Sequence, residues 1–349
     1  MDEITRMAEQ DMAEQDMAEQ YDTLDNTTLD QLAALALKRY PSALQGQLSL
    51  LCRSENATYR LVAGGKRYAM RIHRPGYHQR EDIAGELAWL DALREEGITV
   101  PQALTGLDGE TVQTVTMEDG TVRNVVLFHW IEGEMPTTAV DAAAFEQLGV
   151  ITARLHQHSR RWTRPTGFRR LVWDHDTMVG AHGHWGRWQD APNLKTEDHG
   201  TIEETLAQVR DALTHYGKDS QRYGLIHADL RLTNLLLQNG ETRVIDFDDC
   251  GFSWYLHDLA AAISFVEHHP SAPAWVEGWL SGYQRVCPLS EADRAVIPSL
   301  LIQRRIQLMA WAGSHSQTEQ AIGLGADWSD HTVRLCRRYL DKEALPVGA

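Results

Sequence analysis

Apolar positions recur along this chain with two periods. Between Thr28 and Tyr40, Leu32, Leu35 and Ala36 share one face of a helix, opened by Thr28-Leu29-Asp30 and stopped by Pro41. Short runs then predict strands at Gln47 to Leu51, Tyr59 to Val62 and Tyr68 to His73, the last two joined by a Gly64-Gly65 turn. A helix through Ile83-Ala84-Gly85-Glu86-Leu87-Ala88-Trp89-Leu90 follows. A second hairpin comes next, Val112 to Met117 and Val122 to Phe128 around Glu118-Asp119-Gly120. From Ala142 to His158, Phe145, Leu148, Ile151, Thr152 and Leu155 recur at three and four residues, a strong helix signal, and another helix runs from Ile202 to Tyr216. Ile263 to Tyr339 reads as helical. Strands therefore dominate the first third and helices the rest.

One stretch interrupts the helical part. Residues 225 to 250 hold three short apolar runs, Leu225-Ile226, Leu235 to Leu237 and Val244-Ile245, with an Asn239-Gly240 hairpin signal between the second and third. Asp229, Asn234 and Asp246 thus fall at strand ends and on a short loop, where rigid neighbours can hold them together. Phosphoryl transfer from a nucleotide asks for such a grouping. Charge spreads over the phosphoryl oxygens in the transition state, so the protein mainly positions the reactants, holds magnesium, and supplies a carboxylate for the attacking hydroxyl.

Protein kinases place these parts in H-R-D-L-x-x-x-N followed by D-F-G. Here His227-Ala228-Asp229-Leu230-Arg231-Leu232-Thr233-Asn234 keeps the Asp-to-Asn spacing, and Asp246-Phe247-Asp248 stands where D-F-G would. With H-A-D for H-R-D and I-D-F-D for D-F-G, the stretch resembles the aminoglycoside phosphotransferase and choline or homoserine kinase group. That resemblance implies Asp229 as catalytic base, Asn234, Asp246 and Asp248 at the metal, and Arg231 near the moving phosphoryl group. It implies supporting roles for His227 and for Asp258, which lies in Asp258-Leu259-Ala260, similar to the group's D-L-A element. Leu148-Gly149 with Leu155-His156 resembles the group's L-G-x-x-x-A-x-L-H helix, with His156 as a buried structural histidine.

The first third carries weaker likenesses. Cys52 to Thr58 lacks the glycines of a kinase phosphate loop, but Ser54, Asn56 and Thr58 resemble the polar version found in the group and could supply donors to phosphate. Arg71 occupies the position of the strand lysine that grips nucleotide phosphates, and Glu86 that of its helix partner. Arginine keeps the charge and adds a bidentate fork. Phe128, Trp130 and Ile131 lie in the segment that would border the adenine. Ala63-Gly64-Gly65-Lys66 lacks the full P-loop pattern.

Composition narrows the class. The chain has 349 residues, 43% hydrophobic and 23% charged, room for two lobes of ordinary globular make-up. The longest apolar candidate for a membrane span, Leu259 to Val266, has eight residues, and the acidic amino terminus resembles no secretory signal. Cys52, Cys250, Cys287 and Cys336 are scattered, which suits a cytoplasmic location. A formal charge of −16 argues against nucleic acid and fits a cationic substrate steered into an acidic cleft. Met7 to Gln20 repeats MAEQD with a period of five, which builds no steady helical stripe. The Trp- and His-rich residues 160 to 200 read as an insertion covering the cleft. Within them, His182-Gly183-His184 is not metal-site spacing.

The expectation is an α+β, protein-kinase-like two-lobed fold, with a small antiparallel-sheet amino-terminal lobe and a mostly helical carboxy-terminal lobe. Residues 1–25 would form a disordered or loosely helical tail, 26–128 the nucleotide-binding lobe, 129–134 a hinge and 135–349 the catalytic and substrate lobe. The implied activity is Mg2+-dependent transfer of the γ-phosphoryl group of ATP or GTP to a hydroxyl of a small, amine-bearing molecule. Candidates are an aminoglycoside or amicoumacin-type antibiotic, or homoserine, hydroxylysine or choline. A stress-response-type Ser/Thr protein kinase and a non-catalytic nucleotide-binding module are the alternatives.

Overall fold

The computed structural model describes residues 24–53, 55–136 and 142–348. The MAEQD repeat and Ser54 lie outside the described residues. The chain divides into two compact units, one running up to Glu132 and including Arg164–Arg170, the other comprising Gly133–Thr163 and the chain from Leu171 onward.

In the first unit, α1 (Asn26–Leu37) begins earlier than the Thr28 opening read from the sequence. Asp25 is the cap, its carboxylate accepting the Thr28 N–H at 2.7 Å. Strands β1 (Gln47–Arg53), β2 (Ala57–Ala63) and β3 (Lys66–Ile72) precede α2 (Arg80–Glu95), and β4 (Gln113–Thr116) and β5 (Val122–His129) follow it. The sheet order is β1-β2-β3-β5-β4, antiparallel throughout. Gly64 and Gly65 take φ of 56° and 74°, the paired positive values that a tight hairpin between β2 and β3 requires.

Side chains alternate across a strand, so register divides the sheet into two faces. Tyr59, Leu61, Met70, Ile72, Val125 and Leu127 form one core with Leu29, Leu32, Ala33 and Ala36 of α1. Thr58 pairs with Arg71, Arg71 with Val126, and Ala69 with Phe128, which puts Thr58, Arg71 and Phe128 together on the other face. The segment Arg164–Arg170 belongs to this unit, where the Arg170 guanidinium donates to the Asp82 carbonyl of α2 at 2.8 Å.

The second unit holds α3 (Ala142–Arg161), β6 (Leu171–Val172), α4 (His175–Val179), α5 (His199–Tyr216), β7 (Tyr223–Ile226), β8 (Leu235–Gln238), β9 (Glu241–Val244) and β10 (Gly251–Trp254). Then come α6 (His257–Ala262), α7 (Ala272–Gln284), α8 (Glu291–Ser314), α9 (Glu319–Gly323) and α10 (Trp328–Leu340). Strands β6, β10 and β7 make one small sheet, and β8 and β9 the hairpin expected at Asn239-Gly240, whose φ values are 52° and 79°. In the Trp-rich stretch from Leu171, Trp173, Trp185 and Trp188 are buried, and the Trp173 indole donates to the Asp249 carbonyl at 2.8 Å. No helix among the described residues is long and apolar enough to cross a membrane.

Helices α3 and α7 lie backbone to backbone. A Cβ added at Gly149 would fall inside the van der Waals contact of the Trp279 carbonyl, and one at Gly282 inside that of Glu146. Backbone cannot yield as a flexible side chain does, so overpacking here acts at full strength. Gly149→Ala is expected to lower stability by roughly 3 kcal/mol, at the upper end for overpacked cores, read as a lower urea midpoint at unchanged slope. An unchanged midpoint would mean that the helices can separate freely.

Candidate active site

The loop from His227 to Asn234 joins β7 to β8, and its shape depends on a strained residue. Ala228 takes φ of 70°, a left-handed conformation that costs an L-residue with a Cβ about 1–2 kcal/mol. The compensation comes from Asp258, the second residue of α6. Its Oδ1 accepts the Ala228 N–H at 2.8 Å and its Oδ2 the His227 N–H at 3.2 Å. Asp258 and His156 are completely buried, and His156 Nε2 meets Asp258 Oδ2 at 3.0 Å while its Nδ1 meets the Tyr283 hydroxyl at 2.9 Å. Burial keeps the His156 imidazole below its usual pKa and therefore neutral. Burial alone would raise Asp258, but the hydrogen bond from His156 and the neighbouring imidazoles hold it below the ordinary carboxylate range. The pair is thus a neutral imidazole donating to a carboxylate, not an ion pair.

Asp229 follows the strained residue. Its Oδ1 accepts from Arg304 Nη2 at 3.0 Å, and its Oδ2 from Arg231 Nη2 at 3.1 Å and Asn234 Nδ2 at 3.3 Å. Asn234 Nδ2 also donates to the Asp229 carbonyl at 2.8 Å. Asn234 Nδ2 thus meets Asp229 at both its main-chain carbonyl and its carboxylate. Arg304, from the middle of α8, is fully buried, with Nε on Ser264 Oγ at 3.0 Å and Nη1 on Gln307 Oε1 at 3.1 Å.

Asp246 is exposed, separated from β9 by Ile245, and its neighbours on both sides are tied to the same loop. The Ile245 N–H donates to the Asn234 carbonyl at 3.0 Å, and His227 Nε2 bonds the Ile245 carbonyl at 3.0 Å. The Phe247 ring lies 4.5 Å from the His227 imidazole. Asp246 itself has φ of 63°, a second left-handed residue in the site, and such strain persists only where surrounding bonds over-determine it. Asp248 is buried two residues further on. Asn234, Asp246 and Asp248 are hard oxygen donors of the kind that suits magnesium. Among the described residues no group of three or more His, Cys, Asp or Glu side chains is arranged to hold a metal. A magnesium site built from an amide oxygen, one or two carboxylates and substrate phosphates needs no such group.

In the first unit, Arg71 of β3 and Glu86 of α2 form an ion pair at 2.5 Å, with side-chain exposures of 10% and 1%. The Arg71 guanidinium also lies 5.2 Å from the Phe128 ring centroid. Breaking such a buried pair leaves an uncompensated charge, so each partner fixes the other. Asn56 Oδ1 accepts the Arg74 N–H at 3.0 Å and ties the β1–β2 turn to the end of β3. Thr58 stands beside Arg71 on the sheet face. Trp130 lies under the Arg67 guanidinium at 5.1 Å, and Ile131 is partly buried beside it in the chain.

Residues 53–296 match the profile of the phosphotransferase enzyme family. The chain belongs to that family. This phosphotransferase-family chain is 24% identical over 288 residues to amicoumacin kinase of Bacillus subtilis, across 79% of this chain and 82% of the relative. The structure of the microcompartment-associated aminopropanol kinase matches it at TM-score 0.83 and 40% identity, across 92% of this chain and 99% of that one. An amicoumacin kinase in complex with AMP-PNP, Ca2+ and Ami matches at TM-score 0.72 and 21% identity, across 93% and 96%, a likeness of fold. The fold is accordingly the α+β, protein-kinase-like one, with an antiparallel-sheet unit and a helical unit, and the family's members are kinases and phosphotransferases.

Within this phosphotransferase fold, sequence spacing points to Asp229, Asn234 and Asp246 and the family resemblance to Asp258, but neither points to Arg304. Periodicity places Arg304 only within the helical stretch from Ile263 to Tyr339. A usable signal was present. Arg304-Arg305 sits in the apolar run from Leu300 to Ala310, where two buried cations require partners. Arg305 finds Glu267 at 2.5 Å, and Arg304 finds Asp229.

Proposed function

We propose that this chain is a kinase transferring the γ-phosphoryl group of ATP to the hydroxyl of a short amino alcohol, aminopropanol foremost. The observation that carries the choice of acceptor is the 40% identity to an aminopropanol kinase over 99% of that protein. The net charge of −16 also supports a cationic acceptor.

In this reading Asp229 accepts a hydrogen bond from the acceptor hydroxyl and takes its proton as the new ester bond forms. Asn234 and Asp246, with Asp248, would hold magnesium, which when bound neutralises charge on the nucleotide phosphates. Arg71, oriented by Glu86, would grip those phosphates, with Asn56 and Thr58 as neighbouring donors. Phe128, Trp130 and Ile131 would border the adenine. Arg231 would meet the phosphoryl group in transfer. His227 and Asp258 keep the loop in shape.

Glu86→Gln removes the charge that aims Arg71, and a hydrogen bond to a charged group contributes roughly 1.5–3 kcal/mol. The KM for ATP should rise at least about tenfold, a change worth roughly 1.4 kcal/mol, with the acceptor KM unchanged in steady-state assays. Equal KM values for ATP would remove Arg71 and Glu86 from nucleotide binding.

The acceptor is tested by coupled ADP release across amino alcohols, amino acids, aminoglycosides and an unfolded protein substrate. Aminopropanol should give the highest kcat/KM. A higher value for an antibiotic or an amino acid would replace the proposed substrate, and turnover of protein alone would replace the class.

A further inference from the structure

Asp229 is held at both oxygens by guanidinium groups that differ in their freedom to move. Arg231, on Oδ2, follows Asp229 closely in the loop and has 28% of its side chain exposed. Arg304, on Oδ1, has 2% exposed. Its Nε, Nη1 and Nη2 each meet a different acceptor, Ser264, Gln307 and Asp229, and its plane lies 4.9 Å from the Trp185 ring. Removing that cation from its partners inside the protein would strand a buried charge at a cost of several kcal/mol. Arg304 therefore stays where it is. A carboxylate that is to accept a proton needs one oxygen opened to the acceptor, and of the two guanidinium groups Arg231 is the one placed to turn aside, leaving Oδ2 with the longer 3.3 Å contact from Asn234.

We propose that Arg304 is a positioning residue for the transfer, its buried guanidinium fixing the plane of the Asp229 carboxylate through Oδ1 so that Oδ2 faces the acceptor. The inference rests on the proposed role of Asp229 as the base. Arg231 turns from Oδ2 when nucleotide phosphates offer it a stronger partner. The acceptor O–H then breaks with its proton passing to Oδ2, and the acceptor oxygen bonds to the γ-phosphorus. The bond from that phosphorus to the bridging oxygen breaks, and ADP leaves. A planar fork is needed because three acceptors in different directions must be met at once, which an ammonium on a flexible stem does not do.

The test is a kinetic cycle on the full chain with ATP, Mg2+ and aminopropanol, using Asp229→Ala, Arg304→Met and the double variant. Misplacing a reacting group by about 1 Å costs on the order of 10²-fold. Arg304→Met should lower kcat by about that factor with both KM values within about twofold. On top of Asp229→Ala, it should change kcat by less than about twofold, because a residue that acts only through another adds nothing once that one is gone. Arg304→Lys should stay impaired although it keeps the charge, and it serves as the second variant if Arg304→Met does not bind AMP-PNP in a calorimeter. Full turnover by Arg304→Lys, a loss confined to acceptor KM, or an equal loss in the Asp229→Ala background would each overturn the inference. A wild-type chain that phosphorylates no acceptor would instead overturn the proposed function, and the role of Arg304 with it.

Discussion

Asp229→Asn is expected to lower kcat with aminopropanol by on the order of 10²-fold or more, the usual contribution of a positioned general base, while the protein remains folded and binds ATP. Asparagine is nearly isosteric, and its carbonyl oxygen can still accept from Arg304, so the network that anchors α8 to the loop survives in weakened form. What is lost is the capacity to take a proton. The loss should appear in kcat, with the KM for ATP nearly unchanged, because the nearly isosteric side chain can keep its contacts to Arg231, Asn234 and Arg304. Steady-state kinetics beside a thermal melt separates this from unfolding. A variant with wild-type kcat would remove Asp229 from the chemistry.

Asp258→Ala should produce the largest loss of stability among the site substitutions. The carboxylate accepts from the His227 and Ala228 N–H groups and from His156, all in a completely buried setting. Its removal strands three donors and releases the left-handed Ala228. A buried donor left unsatisfied costs about 1–3 kcal/mol, so three of them are a large share of the roughly 5–15 kcal/mol that keeps a domain folded. The urea midpoint should fall accordingly, and kcat with it, since the loop that carries Asp229 loses its clamp. Asp258→Asn should be milder in stability yet still impaired, because one end of the amide presents hydrogens to a neighbouring donor. If Asp258→Ala melts like the wild type, the bonds to the loop contribute little and another element must hold Ala228 in its left-handed conformation.

The two substitutions also mark what was legible in the sequence. The loop chemistry could be read because it is local. Eight consecutive residues from His227 to Asn234, a hairpin of fixed length and three residues from Asp246 leave little freedom for where those side chains can go. The Gly64-Gly65 and Asn239-Gly240 turns were visible for the same reason, since positive φ at both positions selects those residue types. The helix pair α3 and α7 was half legible. The apolar stripe of α3 was evident, but that Gly149 and Gly282 permit backbone contact depends on a partner 130 residues away in the chain.

Arg304 shows the limit. Periodicity assigns it to a helix, and a helix surface offers no indication of which distant loop it will meet. Residues 160 to 200 show a different limit. Their many tryptophans mark burial, and Trp173 and Trp185 pack against each other, Trp173 bonds the Asp249 carbonyl and Trp185 lies under Arg304. Aromatic content signals burial, not what is being buried. The left-handed Ala228 was hidden too, because alanine carries no local sign of positive φ. It becomes intelligible only beside the Asp258 carboxylate, 30 residues on.

The most direct test follows phosphorus. Purified chain, ATP, Mg2+ and aminopropanol are incubated together and observed by 31P NMR, with Asp229→Asn as the control. A phosphomonoester resonance coupled to the carbon-bound proton of the acceptor, growing in step with ADP and absent with the variant, is the predicted result. ADP accompanied only by inorganic phosphate, or a phosphoester formed equally by the variant, would contradict the account.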